Sequence, residues 1–224
     1  MTKPIPSISG RSMSPGSLYY YYNCKHQRHY KQLYKGIVVG KCLGDLWNYQ
    51  EVIHGINAGW VLETGTFKGG AACFYADLIA STNPEHGCVV SIDMVPEKRS
   101  KKLTDNWPRT HFLEGSSVDK NIVEKAKQLI PFDQENRQPV FVSLDSNHYF
   151  KHVLKELETY IPLLKKGDYL VVEDTKYYNL DGPEKAIKIF QQMDIYNRVK
   201  YDAPRENKMH GFTSVSQGYF KIIN

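Results

Sequence analysis

The stretch Trp60–Ala72 constrains the chain most, because it reads Trp-Val-Leu-Glu-Thr-Gly-Thr-Phe-Lys-Gly-Gly-Ala-Ala. An apolar run stops at an acid, turns through glycine and continues in small residues suited to opening a helix. A buried strand there delivers Glu63 to the edge of a sheet, and Gly65, Gly69 and Gly70 let the backbone curl around a ligand. Further along, Cys88-Val-Val-Ser-Ile92 stops at Asp93, a second acid at a second strand end, placed to accept hydrogen bonds from a ribose diol. The pattern points to an enzyme with a nucleoside cofactor.

Spacing and charge choose between cofactors. A dinucleotide site wants Gly-x-Gly-x-x-Gly, so that a helix N-terminus faces a pyrophosphate. Here the spacing is Gly65-x-x-x-Gly69-Gly70, and Glu63 would repel a pyrophosphate. An acid in that place suits S-adenosylmethionine, whose amino-acid end carries an ammonium and a sulfonium but no phosphate. Thr66, inside the loop, joins Glu63, Gly65, Gly69 and Asp93 as a cofactor contact. The loop Glu114-Gly-Ser-Ser117 follows a further strand and lies beside the adenine in such a layout. Ser116 and Ser117 read there either as adenine contacts or as an ordinary helix cap.

Two more apolar runs stop at carboxylates. One is Phe141-Val-Ser-Leu-Asp-Ser-Asn-His148, the other Tyr169-Leu-Val-Val-Glu-Asp-Thr175. On neighbouring strands, Asp145, Glu173 and Asp174 converge where open α/β sheets bind ligands. Three close carboxylates repel unless a cation sits among them, and oxygen ligands select a hard ion such as Mg²⁺. The plainer alternative is one acid capping a helix and another pairing with Lys176. A bound Mg²⁺ stabilises an alkoxide for methyl transfer, and places Asp145 beside both the cofactor and the reacting oxygen. His148 then reads as a general base or as a support for the metal ligands, with Lys176 and His152 as weaker candidates.

Strands and helices alternate from Trp60 onward, which predicts an α/β fold with a mostly parallel sheet covered on both faces. The strands fall at 60–63, 88–93, 111–114, 139–144, 169–172, 198–201 and 219–223. Helices are expected at 70–81, near Glu97–Asn106, near Lys120–Ile130, Tyr149–Leu164 and Pro183–Met193. Before the sheet, Asp45 is expected to cap a helix reaching about Ile56, and Leu18–Lys41 reads as aromatic, basic helix and loop. The expected division is a flexible tail over 1–17, a helical lid or oligomerisation segment over 18–57, and a cofactor-binding domain over 58–224. Tyr34, Trp47 and Tyr49 are expected to stack on an acceptor or to form a subunit interface.

The bulk numbers fit this reading. At 224 residues the chain is long enough for one well-cored domain, and its net charge of +5 is only mildly basic. Cys24, Cys42, Cys73 and Cys88 lie far apart, which suits reduced thiols in the cytoplasm. No apolar run is long enough to span a bilayer. There is no Asp/Asn-Pro-Pro-aromatic motif for amino methylation and no Pro-Cys pair for carbon methylation, so oxygen is the expected acceptor.

These residues together resemble the cephalosporin hydroxylase/rhamnosyl O-methyltransferase family, with a Rossmann-like class I methyltransferase fold. The matching stretches are Trp47–Gln50, Glu63–Gly70, Val90–Asp93, Leu144–His148 with His152-Val153 and Glu156-Leu157, Gly167–Thr175, and Phe212–Lys221. The resemblance covers roughly Tyr34–Lys221. It implies a seven-stranded sheet, S-adenosylmethionine near Glu63, Gly65 and Asp93, and Mg²⁺ at Asp145, Glu173 and Asp174. It also implies homo-oligomers and hydroxylated small molecules or sugars as acceptors. Ala71-Ala72 departs from the family's Gly-Ser-Ala, and Asn147 stands where the family often has an acid. No iron triad or flavin site supports oxidation.

The expected function is Mg²⁺- and S-adenosylmethionine-dependent O-methylation. The alternatives are an RNA 2′-O-methyltransferase, for which Lys25–Lys31 is a basic aromatic segment and Lys68 or Lys176 a partner for Asp145, and a binding module without catalysis. Nucleic acid is the less expected partner, and no membrane partner is expected.

Overall fold

The computed structural model describes residues 31–95, 102–175, 182–208 and 213–224. The expected tail, residues 18–30 of the Leu18–Lys41 segment with most of Lys25–Lys31, and Lys176 lie outside the described residues, as does the 97–101 part of the helix expected near Glu97–Asn106.

A hairpin of β1 (Leu33–Tyr34) and β2 (Ile37–Val38) precedes helix α1 (Leu43–Gly55). Then come β3 (Trp60–Thr64), α2 (Gly70–Thr82), β4 (Cys88–Asp93), β5 (Thr110–Glu114), α3 (Lys120–Leu129) and β6 (Val140–Leu144). They are followed by α4 (Phe150–Tyr160), β7 (Tyr169–Val172), α5 (Pro183–Phe190), β8 (Val199–Tyr201), α6 (Ala203–Lys208) and β9 (Tyr219–Ile222). Seven strands form one sheet in the order β5-β4-β3-β6-β7-β9-β8. β5 to β7 run parallel, and β9 inserts antiparallel between β7 and β8. This is the α/β sheet expected of a class I methyltransferase.

Every residue of β3, β6 and β7 is buried, so alternate side chains feed two cores. Leu62, Val90, Val142, Leu170 and Phe220 face one core, under Ile122 and Val123 of α3, Leu157 of α4 and Phe190 of α5. Val61, Val89, Phe141, Val171 and Tyr219 face the other, under Tyr49 and Ile53 of α1 and Tyr75 and Ile79 of α2. Tyr49 packs on Phe141 with ring centroids 5.5 Å apart and on Tyr219 at 6.4 Å. Tyr49 is therefore core rather than an acceptor platform. Tyr34 is also committed, since its hydroxyl donates to Asp77 at 2.6 Å and its ring meets Phe74 edge-on. Trp47 stays on the surface, 59% exposed, and donates to Glu51.

Several local expectations are corrected. Within Leu18–Lys41 the described part is a hairpin, because Lys35 (φ 47°) and Gly36 (φ 86°) both adopt the left-handed region that a two-residue turn requires. Asp45 does not cap α1, which starts two residues earlier after Cys42. The Asp45 carboxylate instead points inward and accepts from Ser214 N at 2.9 Å, Ser214 Oγ at 2.7 Å, Tyr219 OH at 2.8 Å and the Thr213 hydroxyl. Burial pushes its pKa up, and those donors pull against it. α1 is thereby tied to the segment leading into β9. The helix expected through Leu164 ends at Tyr160 and tightens into a 3₁₀ turn at Ile161–Leu163, where Pro162 has no N–H to continue the α ladder. The described remainder near Asn106 is a 3₁₀ turn, Lys102–Asp105.

At the opposite end of the sheet from the strand-end acids, Arg137 and Asp168 form a two-pronged ion pair at 2.7 and 2.6 Å with both side chains fully buried. Asp168 also accepts from the amides of Val140 and Lys165, so it joins the starts of β6 and β7. Replacing Arg137 by Met leaves that carboxylate buried without its cation. The expected cost is about 3–5 kcal/mol of stability in urea denaturation. A loss below about 1 kcal/mol would show that the pair is dispensable.

Candidate active site

The strand order reverses direction between β3 and β6, and the carboxyl ends of these strands open a crevice there. Parallel register sets Glu63 of β3 between Ser91 of β4 and Ser143 of β6. Gly65 follows with φ +87°, and a Cβ on it would lie 2.1 Å from the Asp145 carbonyl oxygen. Only glycine lets the loop after β3 close on the loop after β6. Two cavities meet at this point. One of about 320 Å³ is lined by Lys41, Glu63, Phe67, Asp145, His148 and Asp174. The other, about 390 Å³, is lined by Met94, Gly115, Ser116, Ser117, Asn147 and His152. Gly65, Asp93 and Ser146 border both.

Glu63 is fully buried. Its Oε2 accepts from Ser91 Oγ at 2.6 Å, while Oε1 has no hydrogen-bond partner among the described residues. Burial pushes its carboxyl up to about 7, against the pull of Lys41. An acceptor held this way at a cavity wall is suited to a cation. Asp93 uses its carboxylate to hold the amides of Phe67 at 3.0 Å and Val95 at 3.2 Å, and still lines both cavities. Thr66 does not reach either cavity; its hydroxyl pairs with Ser91 Oγ at 2.7 Å. Gly69 lies behind the loop as the residue that precedes α2.

Ser116 and Ser117 both border the second cavity, and the cap of α3 is Asp119, which accepts from Asn121 N and Ile122 N. Ser117 is largely committed elsewhere. Its hydroxyl donates to the buried Glu156 at 2.6 Å and lies 3.0 Å from His152 Nε2. Ser146 makes the matching pair of contacts, 2.7 Å to Glu156 and 3.1 Å to His152. Glu156 thus locks the loop after β5 to the loop after β6.

The acids do not gather into one trio. Asp145, His148 and Asp174 offer ligand atoms that all lie within 4.8 Å of one another. His148 Nε2 is 3.2 Å from Asp145 Oδ1 and 3.0 Å from Asp174 Oδ2. Burial works against charge on His148, but the two carboxylates outweigh it and raise its pKa to about 10. Asp174 takes φ 55° and Phe67, which lines the same cavity, takes φ 50°, left-handed values that are uncommon for non-glycine residues. Glu173 turns inward to Lys41 Nζ at 2.7 Å and to the Ser143 hydroxyl. Burial raises Glu173 and Asp174 above the usual carboxylate range. For Asp145 burial is outweighed by Lys41 and His148, which hold it low.

Lys41 is the site residue that sequence reasoning missed. Its ammonium is 2.7 Å from Asp145 Oδ2, 2.7 Å from Glu173 Oε1 and 4.0 Å from Glu63 Oε1, with 3% of the side chain exposed. The cation beside Asp145 is therefore Lys41, not Lys68. Nothing local in the sequence marks it, because its partner Asp145 lies 104 residues away.

Comparison with known proteins agrees with this architecture. The family model described as Rhamnosyl O-methyltransferase/CmcI matches residues 26–223. A Rhamnosyl O-methyltransferase of Mycobacterium tuberculosis is 35% identical over 202 residues, covering 84% of this chain and 77% of the relative. One of Mycobacterium leprae is 32% identical over 195 residues, covering 82% and 80%. Among solved structures, CmcI with Mg and SAM superposes with a TM-score of 0.68 at 16% identity, over 87% of this chain and 78% of that one. The chain belongs to the rhamnosyl O-methyltransferase/CmcI family.

Proposed function

We propose that this O-methyltransferase moves a methyl group from S-adenosylmethionine to a hydroxyl of a sugar or other small molecule, with Mg²⁺ bound. The carrying observation is the convergence of Asp145, His148 and Asp174 at a cavity where the buried Glu63 keeps an oxygen without a hydrogen-bond partner among the described residues, 4.0 Å from Lys41. Carboxylate oxygens fit a hard divalent ion, and Asp145 and Asp174 would hold it. The Glu63 oxygen that lacks a hydrogen bond fits the ammonium of an amino-acid group. Relatives named for rhamnosyl methylation, and the CmcI structure with Mg and SAM, support the same reading.

S-adenosylmethionine supplies an electrophilic methyl carbon, and a divalent ion supplies positive charge that favours an alkoxide. The chain's own residues do the remainder. Glu63 accepts from the amino group, Asp93 accepts from the ribose hydroxyls, and Ser116 borders the adenine. A divalent ion held by Asp145 and Asp174 would neutralise the two carboxylates that otherwise keep His148 protonated, leaving its imidazole to take the proton of the acceptor hydroxyl as that oxygen bonds to the methyl carbon and the carbon–sulfur bond breaks. Phe67 lines the same cavity.

Chelation by EDTA should abolish radiolabelled methyl transfer to a panel of rhamnosides, and added Mg²⁺ should restore it. Undiminished transfer in chelator would remove the metal from the reading. His148→Gln should lower turnover on the order of a hundredfold while S-adenosylmethionine affinity changes little.

Glu63 gives a pH signature. Its raised pKa means that the free site loses a proton near 7. A carboxylate binds an ammonium better than a carboxylic acid does. Calorimetric affinity for S-adenosylmethionine should therefore rise with pH through that point and level off until the ligand's α-amino group itself titrates near about 8. The rise should vanish in Glu63→Gln. A flat profile in the unaltered protein would mean that the ammonium is held elsewhere.

A further inference from the structure

Glu156 sits in α4 with 1% of its surface exposed, and its Oε1 holds together three polar side chains. Ser117 Oγ donates to it at 2.6 Å and Ser146 Oγ at 2.7 Å, while His152 Nε2 stands 3.7 Å off. His152 Nε2 is also 3.0 Å from Ser117 Oγ and 3.1 Å from Ser146 Oγ. A serine hydroxyl has one proton to give. Both protons go to the carboxylate, which is the nearer and the stronger acceptor. The imidazole therefore carries a hydrogen on Nε2 and donates it to the serine oxygens. The backbones of the two loops are pinned without this cluster. Tyr160 OH donates to the Ser117 carbonyl at 2.5 Å, and Asp145 N donates to the Thr64 carbonyl at 3.1 Å. What Glu156 adds is the direction of two protons.

We propose that Glu156 is a positioning residue that sets the polarity of the base pocket: it draws the Ser117 and Ser146 protons away from the second cavity, so that these serines offer a purine only lone pairs. This rests on the reading that the cofactor's adenine occupies that cavity, which Ser117, Ser146 and His152 all line. Adenine carries a 6-amino group that donates, whereas a 6-oxo purine presents an acceptor at the same place. A serine oxygen whose proton is already committed meets the amine with a lone pair and meets the carbonyl with repulsion. Placing two acceptors face to face in a buried site costs more than a missing contact. The cluster thereby selects the adenine cofactor against its deaminated form, although Glu156 itself never touches the base.

The test is calorimetry on the full chain with two probes, S-adenosylhomocysteine and S-inosylhomocysteine, which share the amino-acid and ribose groups and differ in the 6-amino or 6-oxo purine. The unaltered protein should prefer the adenosyl compound by roughly a hundredfold or more. Glu156→Met removes the acceptor. His152 can then take back only one of the two protons, so at least one hydroxyl is released to donate to the base. The preference should fall by about tenfold or more, with the inosyl compound gaining ground on the adenosyl one. A merely structural glutamate would weaken both probes in proportion and leave their ratio unchanged, and that result overturns the proposal. If Glu156→Met does not fold, the double variant Ser117→Ala, Ser146→Ala removes the lone pairs themselves and should lose the preference in the same way. Full discrimination in that variant overturns the proposal too. If the unaltered protein binds both probes equally, the polarity assigned to the pocket fails and the cofactor reading stands. If it binds neither, the cofactor reading fails and the proposal with it.

Discussion

Carboxylates crowded at one end of a sheet repel each other, and the site is arranged around that repulsion. Glu63, Asp145, Glu173 and Asp174 arrive there because three buried strands end side by side. Their charge is answered by Lys41 on one side and His148 on the other. The answer is local to each acid. Asp145, touching both cations, is stabilised as an anion, whereas Glu63 and Glu173 are driven by burial toward their protonated forms. Acids that read alike in the sequence therefore have separate tasks. Asp145 touches both cations, Glu173 is held by Lys41, Asp174 meets His148, and Glu63 keeps one oxygen without a hydrogen bond among the described residues.

The sheet and its order of elements were legible because buried parallel strands leave continuous apolar runs, and each run here stops at an acid or glycine. Leu144-Asp145 and Val172-Glu173 show this most clearly. Boundaries moved where tertiary contacts overrode local pattern. Asp45 has the chemistry of a cap, yet the amide and hydroxyl of Ser214, far along the chain, claimed its carboxylate. Thr66 lay in the right loop but found Ser91 instead of the cavity. The division of labour among the acids was not legible, because it depends on which cation each oxygen meets. Lys41 lies far from its partners in the chain, and a single lysine has no periodicity or motif to betray it.

The aromatic richness of the chain has a comparable explanation. Tyr49, Tyr75, Phe141, Tyr169 and Tyr219 pack together between α1, α2 and the sheet. They give that face a broad, stiff interior directly beneath the charged cluster. Stiffness there matters, since an ammonium pinned between two carboxylates is favourable only when its geometry is held. Arg137 and Asp168 brace the other end of β6 and β7 by the same kind of chemistry, so the strands that carry Asp145 and Glu173 are anchored by charge at both ends.

The hairpin crosses the start of α2 at Gly70, where a Cβ would lie 2.3 Å from the Val38 carbonyl oxygen and 2.9 Å from that of Ile37. Main-chain oxygens thus press on the very turn whose exposed amides hold diphosphates in nucleotide-binding relatives of this architecture. A side chain at position 70 would collide with both carbonyls, so the hairpin that delivers Lys41 can lie against the start of α2 only because that helix opens on a residue without a Cβ.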